Sequence, residues 1–292
     1  MPVSLPQGSA LPPQELYPDQ QGNLAWDGSV IGWVASVGGP IGSGNFDPSL
    51  WGNAPPELQC PTPYFQINDD FLQQATATSS LLTWTDVKGT GGTNAFSATN
   101  SGGVYNLVTA ASADDYRGIR SANKAFMFAA GKRAWVEMRF KCFEATTNQS
   151  AIAMGFMDAT TTGGIQTGSS GPLTSFSGAI MYKPANTLNV QAMTSQVTNQ
   201  VVQPTFATLV SNTWSRFGFY FDGGINNGGA SATSGTVTPY ADVGSGWVAS
   251  TTALTIAFSN LAQMYLFATI KAGSSAGAET LQIDYIQATQ LR

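Results

Sequence analysis

Residues Ala134–Cys142 alternate without a break, with Ala134, Val136, Met138, Phe140 and Cys142 on one side and Trp135, Glu137, Arg139 and Lys141 on the other. A period of two puts successive side chains on opposite faces of an extended backbone, so this run reads as a half-buried antiparallel strand. Arg216–Asp222 repeats the rule, setting Phe217, Phe219 and Phe221 against Gly218, Tyr220 and Asp222. Ala151–Met157 is apolar on both faces, as a central strand requires. Further strands are expected at Gly103–Thr109, Ala179–Tyr182, Thr187–Ala192, Thr236–Val243, Met264–Ile270 and Leu281–Ala288. No window of about 12 residues holds a 3.6-residue period, and Phe71–Ala77 offers a turn or two of helix at most. The loops between runs, such as Thr160–Gly171 and Gly223–Gly235, are long, small and uncharged. Many short strands with polar loops and almost no helix predict an all-β fold, an antiparallel β-sandwich or jelly roll.

Proline divides the chain. Of 15 prolines, all but Pro172, Pro184, Pro204 and Pro239 fall within residues 1–63. That stretch is Pro-Gly-Ser-Asn punctuation around isolated aromatics and is not expected to build a sheet of its own. It also holds Val30-Ile31-Gly32-Trp33-Val34 and three tryptophans, too apolar for a free tail. We therefore expect residues 1–64 to form an extended arm with little regular structure, ordered by contact through Tyr17, Trp26, Trp33, Phe46 and Trp51. Residues 65–292 form the β-sandwich. Charge follows the same division: the first basic residue is Lys88, and eight acids precede it. An arm of this kind is drawn to its own body or to a basic neighbour; the competing reading is a solvated acidic tail.

Several chemistries are excluded. The chain has no histidine, which removes Ser-His-Asp triads, His-zinc sites and imidazole acid/base work. Paired carboxylates for glycoside hydrolysis are missing, because Glu137 stands alone on its strand. Asp114-Asp115 and Asp69-Asp70 read as loop acids, and Asp158, Asp222, Asp242 and Asp284 are too scattered for a calcium loop. Gly89–Gly92 and Gly223-Gly224 lack the helix and lysine of a phosphate loop. No catalytic, cofactor-binding or metal residue is assigned. A net charge of −5 gives no electrostatic reason to bind nucleic acid. No run of about 18 apolar residues suggests a membrane helix. Without a signal-like N-terminus, the chain is expected to act where it is made or to leave by lysis or assembly. Cys60 and Cys142 are too few for a disulfide framework, and a buried free thiol is preferred over a bridge. Among the aromatics near strands, Trp135, Trp214 and Trp247 are the candidates for stacking on sugar rings, against the alternative that they fill the second face of the core.

The body resembles phage virion proteins with a concanavalin-like, LamG-type jelly roll. The matching segments are Asn68–Phe71, Gly102–Leu107, Asp114–Tyr116, Ala134–Phe140, Gly155–Asp158, Leu281–Ile286 and Gln290–Arg292. The resemblance implies a non-enzymatic virion structural protein that decorates or cements the capsid. Its partners would then be the major capsid protein or other virion subunits, with the arm docking on neighbouring shell subunits. It further implies a homo-oligomer, a trimer being natural, placed on the capsid surface after synthesis in the host cytoplasm, with no nucleic-acid or membrane partner. Lectin-like relatives carry acidic metal-binding loops that have no clear equivalent here. The alternative is a glycan- or receptor-binding module of a tail fibre or spike.

Overall fold

The computed structural model describes residues 17–18, 24–26, 29–30, 64–71, 84–97, 103–144, 149–166, 168, 171–224, 233–258, 262–274 and 277–291. Contacts divide the chain into two compact units, Met1–Tyr64 and Phe65–Arg292. In the first, β1 (Tyr17–Pro18), β2 (Leu24–Trp26) and β3 (Ser29–Val30) pair as a small antiparallel sheet. This corrects the expectation that the segment builds no sheet. Pairs of two or three residues need little β propensity. Tyr17 and Trp26 lie on these strands. Trp33, Phe46 and Trp51 lie outside the described residues, as does Cys60.

The strands of the second unit begin with β4 (Tyr64–Asp69), β5 (Trp84–Lys88), β6 (Thr93–Phe96), β7 (Tyr105–Val108) and β8 (Tyr116–Ser121). The long central strands follow: β9 (Arg133–Phe143), β10 (Ala151–Met157), β11 (Phe176–Lys183), β12 (Asn189–Val197) and β13 (Asn199–Thr208). The last are β14 (Trp214–Asp222), β15 (Ser234–Asp242), β16 (Trp247–Ala249), β17 (Leu254–Ala257), β18 (Tyr265–Lys271) and β19 (Thr280–Leu291). One sheet has seven strands in the order β13-β12-β11-β10-β18-β8-β5. The other has nine: β16-β15-β14-β9-β19-β7-β6 in line, with β17 on β15 and β4 on β19. Apart from β4 on β19, all pairings between named strands of the two sheets are antiparallel.

The two sheets face each other across an apolar core. The inward rows predicted from alternation meet there: Phe140, Phe217, Phe219 and Phe221 from the nine-stranded sheet, and Ile152, Met154 and Phe156 from the seven-stranded one. Phe156 touches Phe219 edge-on at 5.4 Å between centroids and stacks on Phe126 at 4.2 Å, while Phe128 stacks on Phe221 at 4.0 Å. Each buried phenyl contributes about 1.5–3 kcal/mol of transfer free energy, so this column holds the layers together. The expected strands all form, most extended by a few residues. The unexpected ones, β4, β5, β6, β8, β13, β16 and β17, are short, carry glycine, charge or proline, or lie at sheet edges.

Ala151–Met157 is apolar on both faces for a reason visible in the packing. A second apolar cluster lies on the far side of the seven-stranded sheet, where Ala151, Ala153, Met157, Ile180, Tyr182, Met193 and Phe267 are buried together with Ile165 and Phe176. Ile165 belongs to the loop that follows the 3-10 turn Thr161–Gly164. Lys271, 1% exposed, pins this loop by donating to the Gln166 carbonyl at 3.0 Å and pairing with Asp114 at 3.4 Å. Asp114 also accepts the Gly168 amide at 2.7 Å. Asp115 is buried and accepts the Ala110 amide at 2.6 Å. The two acids therefore clamp loops instead of standing in solvent. At Gly178 a Cβ would lie 2.0 Å from the Phe156 carbonyl oxygen, so only glycine fits where β11 crosses β10. Among the described residues no helix is long and apolar enough to cross a membrane.

Candidate functional site

The outward row of β9 and its neighbours forms the most distinctive surface of the second unit. Register alone aligns Trp247, Asp242, Arg216, Arg139 and Tyr285 across five adjacent strands, β16 to β19. Adjacent strands are about 4.8 Å apart, so the row spans on the order of 20 Å. Beside it, Trp214 lies opposite Lys141, and on the other flank Tyr240, Gly218, Glu137 and Gln287 fall in line. Asp284 sits at a register shift between Ile283 and Tyr285, which brings it to Arg139.

The charges on this face are paired. Arg216 donates from Nη2 and Nε to Asp242 Oδ2 at 2.7 and 3.1 Å, and its Nη1 lies 3.9 Å from Glu137. Arg139 pairs with Asp284. Asp242 also accepts the Gly244 and Gly246 amides at 2.9 Å each. Burial opposes its charge, but the Arg216 hydrogen bond and the two amides outweigh it and hold the carboxyl below the usual range. For Arg216 burial likewise opposes the charge, and Asp242, Tyr285 and Glu137 reverse the balance upward. Glu137 is fully buried and accepts hydrogen bonds from Tyr285 Oη and, at 3.1 Å, from Gln287 Nε2. These hydrogen-bond partners come from β19, nearly 150 residues away in sequence.

Two of the three predicted stacking tryptophans lie at this surface half-buried. The Arg139 guanidinium sits 4.6 Å over the Trp214 ring with Lys141 at 5.1 Å, and Arg216 sits 4.8 Å over the Trp247 ring. Such cation–π contacts fix the rings in place. Trp214 and Trp247 are two strands and about two residues apart, roughly 12 Å between backbones. Trp135 corrects the expectation: it points outward from β9 but is 0% exposed, its ring against Tyr220 at 5.2 Å, and offers no face for stacking. Trp84 is occupied by a hydrogen bond from its Nε1 to Asp69 at 2.6 Å.

A hollow of about 10 Å³, room for one water, is lined by Phe140, Cys142, Glu144, Lys183, Leu209 and Ser215. Burial pushes the Cys142 thiol up to about 12, against a hydrogen bond with Ser150 that lowers it. Such a thiol is a poor nucleophile at neutral pH. Among the described residues no group of three Cys, Asp or Glu side chains could hold a metal ion. What this face offers is a pre-set array of rings, guanidiniums and carboxylates.

The chain is thus an antiparallel β-sandwich whose candidate site is a sheet face and not a cleft. No protein-family model and no curated protein matches it. Among solved structures it is similar to a protein of unknown function from Shewanella oneidensis MR-1, at 18% identity over 86% of this chain and 96% of that one, with a TM-score of 0.48. It is similar to basic winged bean lectin with Tn-antigen at 10% identity over 78% and 98% of the two chains, TM-score 0.49. Peanut lectin with a nine-residue peptide gives 12% identity over 78% and 97%, TM-score 0.47.

Alternation alone placed Arg139 and Lys141 beside Trp135 on one face. It could not bring Arg216, Asp242, Asp284 and Tyr285 to them, because that juxtaposition depends on which strands pair and in what register.

Proposed function

We propose that this chain is a non-enzymatic binding module that takes a glycan, or a glycan-bearing receptor, on the outer face of the nine-stranded sheet. The observation that supports this reading is the pair of half-buried indoles, Trp214 and Trp247, bracketing the Arg216–Asp242 pair. The apolar C–H face of a pyranose packs on an aromatic ring, while its hydroxyls exchange hydrogen bonds with planar guanidinium and carboxylate groups. Rings already braced by guanidiniums lose little freedom when a ligand arrives. A glycan array should give binding to a defined set of sugars. Trp214→Ala and Trp247→Ala should each weaken it by up to about tenfold, the loss of one aromatic contact worth about 1.4 kcal/mol. An array without hits, or variants that bind as tightly as the parent, would sink the proposal.

The composition of residues 1–64 supports a second reading, attachment to a larger assembly, with capsid decoration as its specific form. Acids without a single base, proline stiffening and spaced aromatics suit a segment that covers a basic neighbouring surface. Deleting residues 2–60 should then abolish co-sedimentation with virions while the β-sandwich keeps its circular dichroism spectrum. Undiminished attachment of the truncated chain would remove the arm's role.

A further inference from the structure

The seven-stranded sheet ends in an edge unlike the rest of the protein. Strand β13 is outermost, paired to β12 through Asn199–Gln203 and again at Ala207 and Thr208. Between Lys183 and Arg216 the sequence carries no charged residue, and this uncharged span forms the whole terminal hairpin of the sheet. Four of the six exposed large hydrophobics among the described residues lie on it: Val197 at 43%, Val201 at 43%, Val202 at 44% and Val210 at 56%. An edge strand presents unpaired N–H and C=O groups on alternate residues, and proteins that must stay single protect such edges with charge, above all lysine. The opposite edge of the same sheet has that protection, because Asp86 and Lys88 of β5 are exposed.

We propose that two copies of this chain pair edge to edge through Asn199–Gln203, antiparallel about a two-fold axis near Val201, so that the sheets of two protomers become continuous. The partner is a second copy for a reason of symmetry. Across a two-fold axis the strand meets a copy of itself, so any charge near the axis would lie close to an identical charge. This strand carries none, and Val201 would face Val201 with Gln200 opposite Val202. The extent is limited by the same strand. Pro204 lacks an N–H, and three residues, Pro204 to Phe206, stand against Gln191 alone on β12, a bulge that ends regular pairing. Pairing therefore stops after five residues. With the other edge charged, it closes at two protomers and does not propagate into a filament. So short a contact falls at the small end of specific interfaces, below about 1,200 Å², and gives a weak, concentration-dependent dimer.

This inference is independent of the glycan reading, since β13 belongs to the other sheet. Sedimentation velocity of the full chain over a concentration series should show monomer converting to dimer. Val201→Lys combined with Val202→Lys places like charges across the axis and should weaken the dimer by at least about tenfold. Both side chains are exposed, so the melting temperature should stay near that of the parent. In a Cys60→Ser background, Val201→Cys should form a disulfide-linked dimer on mild oxidation, because opposing Cα atoms of an antiparallel pair lie about 4.5–5.5 Å apart, within disulfide reach. Val248→Cys, at a site equally exposed, should not. A chain that stays monomeric throughout, or a dimer that survives both lysines, overturns the proposal. So does a monomer whose edge captures an extended peptide of another protein.

Discussion

Glu144→Ala is expected to cost about 3–5 kcal/mol of folding stability, the usual effect of stranding one partner of a buried ion pair. Lys183 ends β11 in one sheet, and Glu144 follows β9 in the other, so their contact ties the two layers at one end of the sandwich. Nζ lies 2.7 Å from Glu144 Oε1, with the side chains 1% and 2% exposed. The same carboxylate oxygen accepts the Ser150 hydroxyl at 2.7 Å and the Ser150 amide at 3.1 Å, while Lys183 donates to the Ser150 carbonyl. Removing the carboxylate leaves a buried ammonium that has lost its counter-charge and keeps only neutral acceptors such as the Ser150 carbonyl and hydroxyl, next to Phe140, Leu188 and Leu209. Desolvation of that charge, more than the lost attraction, sets the size of the effect. Lys183→Met paired with Glu144→Leu should therefore recover most of the loss. Urea denaturation of the parent, the single variant and the double variant decides it. A Glu144→Ala chain within about 1 kcal/mol of the parent would show that water reaches Lys183 freely.

That pair also marks where sequence reading stops. The period of two in β9 and β14 was legible because one face of each strand meets the core, and burial writes itself into alternation. The uniformly apolar β10 was legible as a central strand, although the second cluster that makes its outer face apolar was not. Strand β13 was missed because its side chains face water and a proline interrupts it; an edge strand is defined by the neighbour it pairs with and carries little pattern of its own. Polar groups are the hardest. Glu144 and Lys183, Glu137 and Tyr285, Asp114 and Lys271 are each far apart in sequence and obey no spacing rule, since register between distant strands is what joins them. Asp114 and Asp115 read only as loop acids for the same reason. The candidate tryptophans were found by residue type, and only burial separated Trp214 and Trp247 from Trp135.

Folding stability is also expected to fall steeply above pH 9. The Cys142 thiol has an ordinary value of 9.0 and is pushed up to about 12, chiefly by burial. Tyr285 is raised well above its ordinary 10.0, by burial first and then by the charge of Glu137. Tyr105 and Tyr182 are pushed up to about 12, again by burial. In each case the folded chain keeps a proton that the unfolded chain releases, so alkaline pH favours unfolding. The stabilisation is complete below the unfolded value and disappears as pH rises toward the folded one. For a fully buried thiol the slope is about 1.4 kcal/mol per pH unit, on the order of 4 kcal/mol across the window from 9 to 12. Between pH 9 and 10 the thiol contributes about 1 kcal/mol of the decline and each raised tyrosine about 0.3 kcal/mol, so Cys142 is separated as the difference between the parent and a chain that lacks it. Above pH 10 the tyrosines contribute more and the curve steepens. In a Cys60→Ser background, the parent should lose about 1 kcal/mol more than Cys142→Ala between pH 9 and 10, and both should fall further above pH 10, as urea denaturation reads it. A parent that falls no further than Cys142→Ala from pH 9 to 10 would mean that Cys142 ionises in the folded state, which its burial beside the Lys183–Glu144 pair does not allow without opening that end of the sandwich.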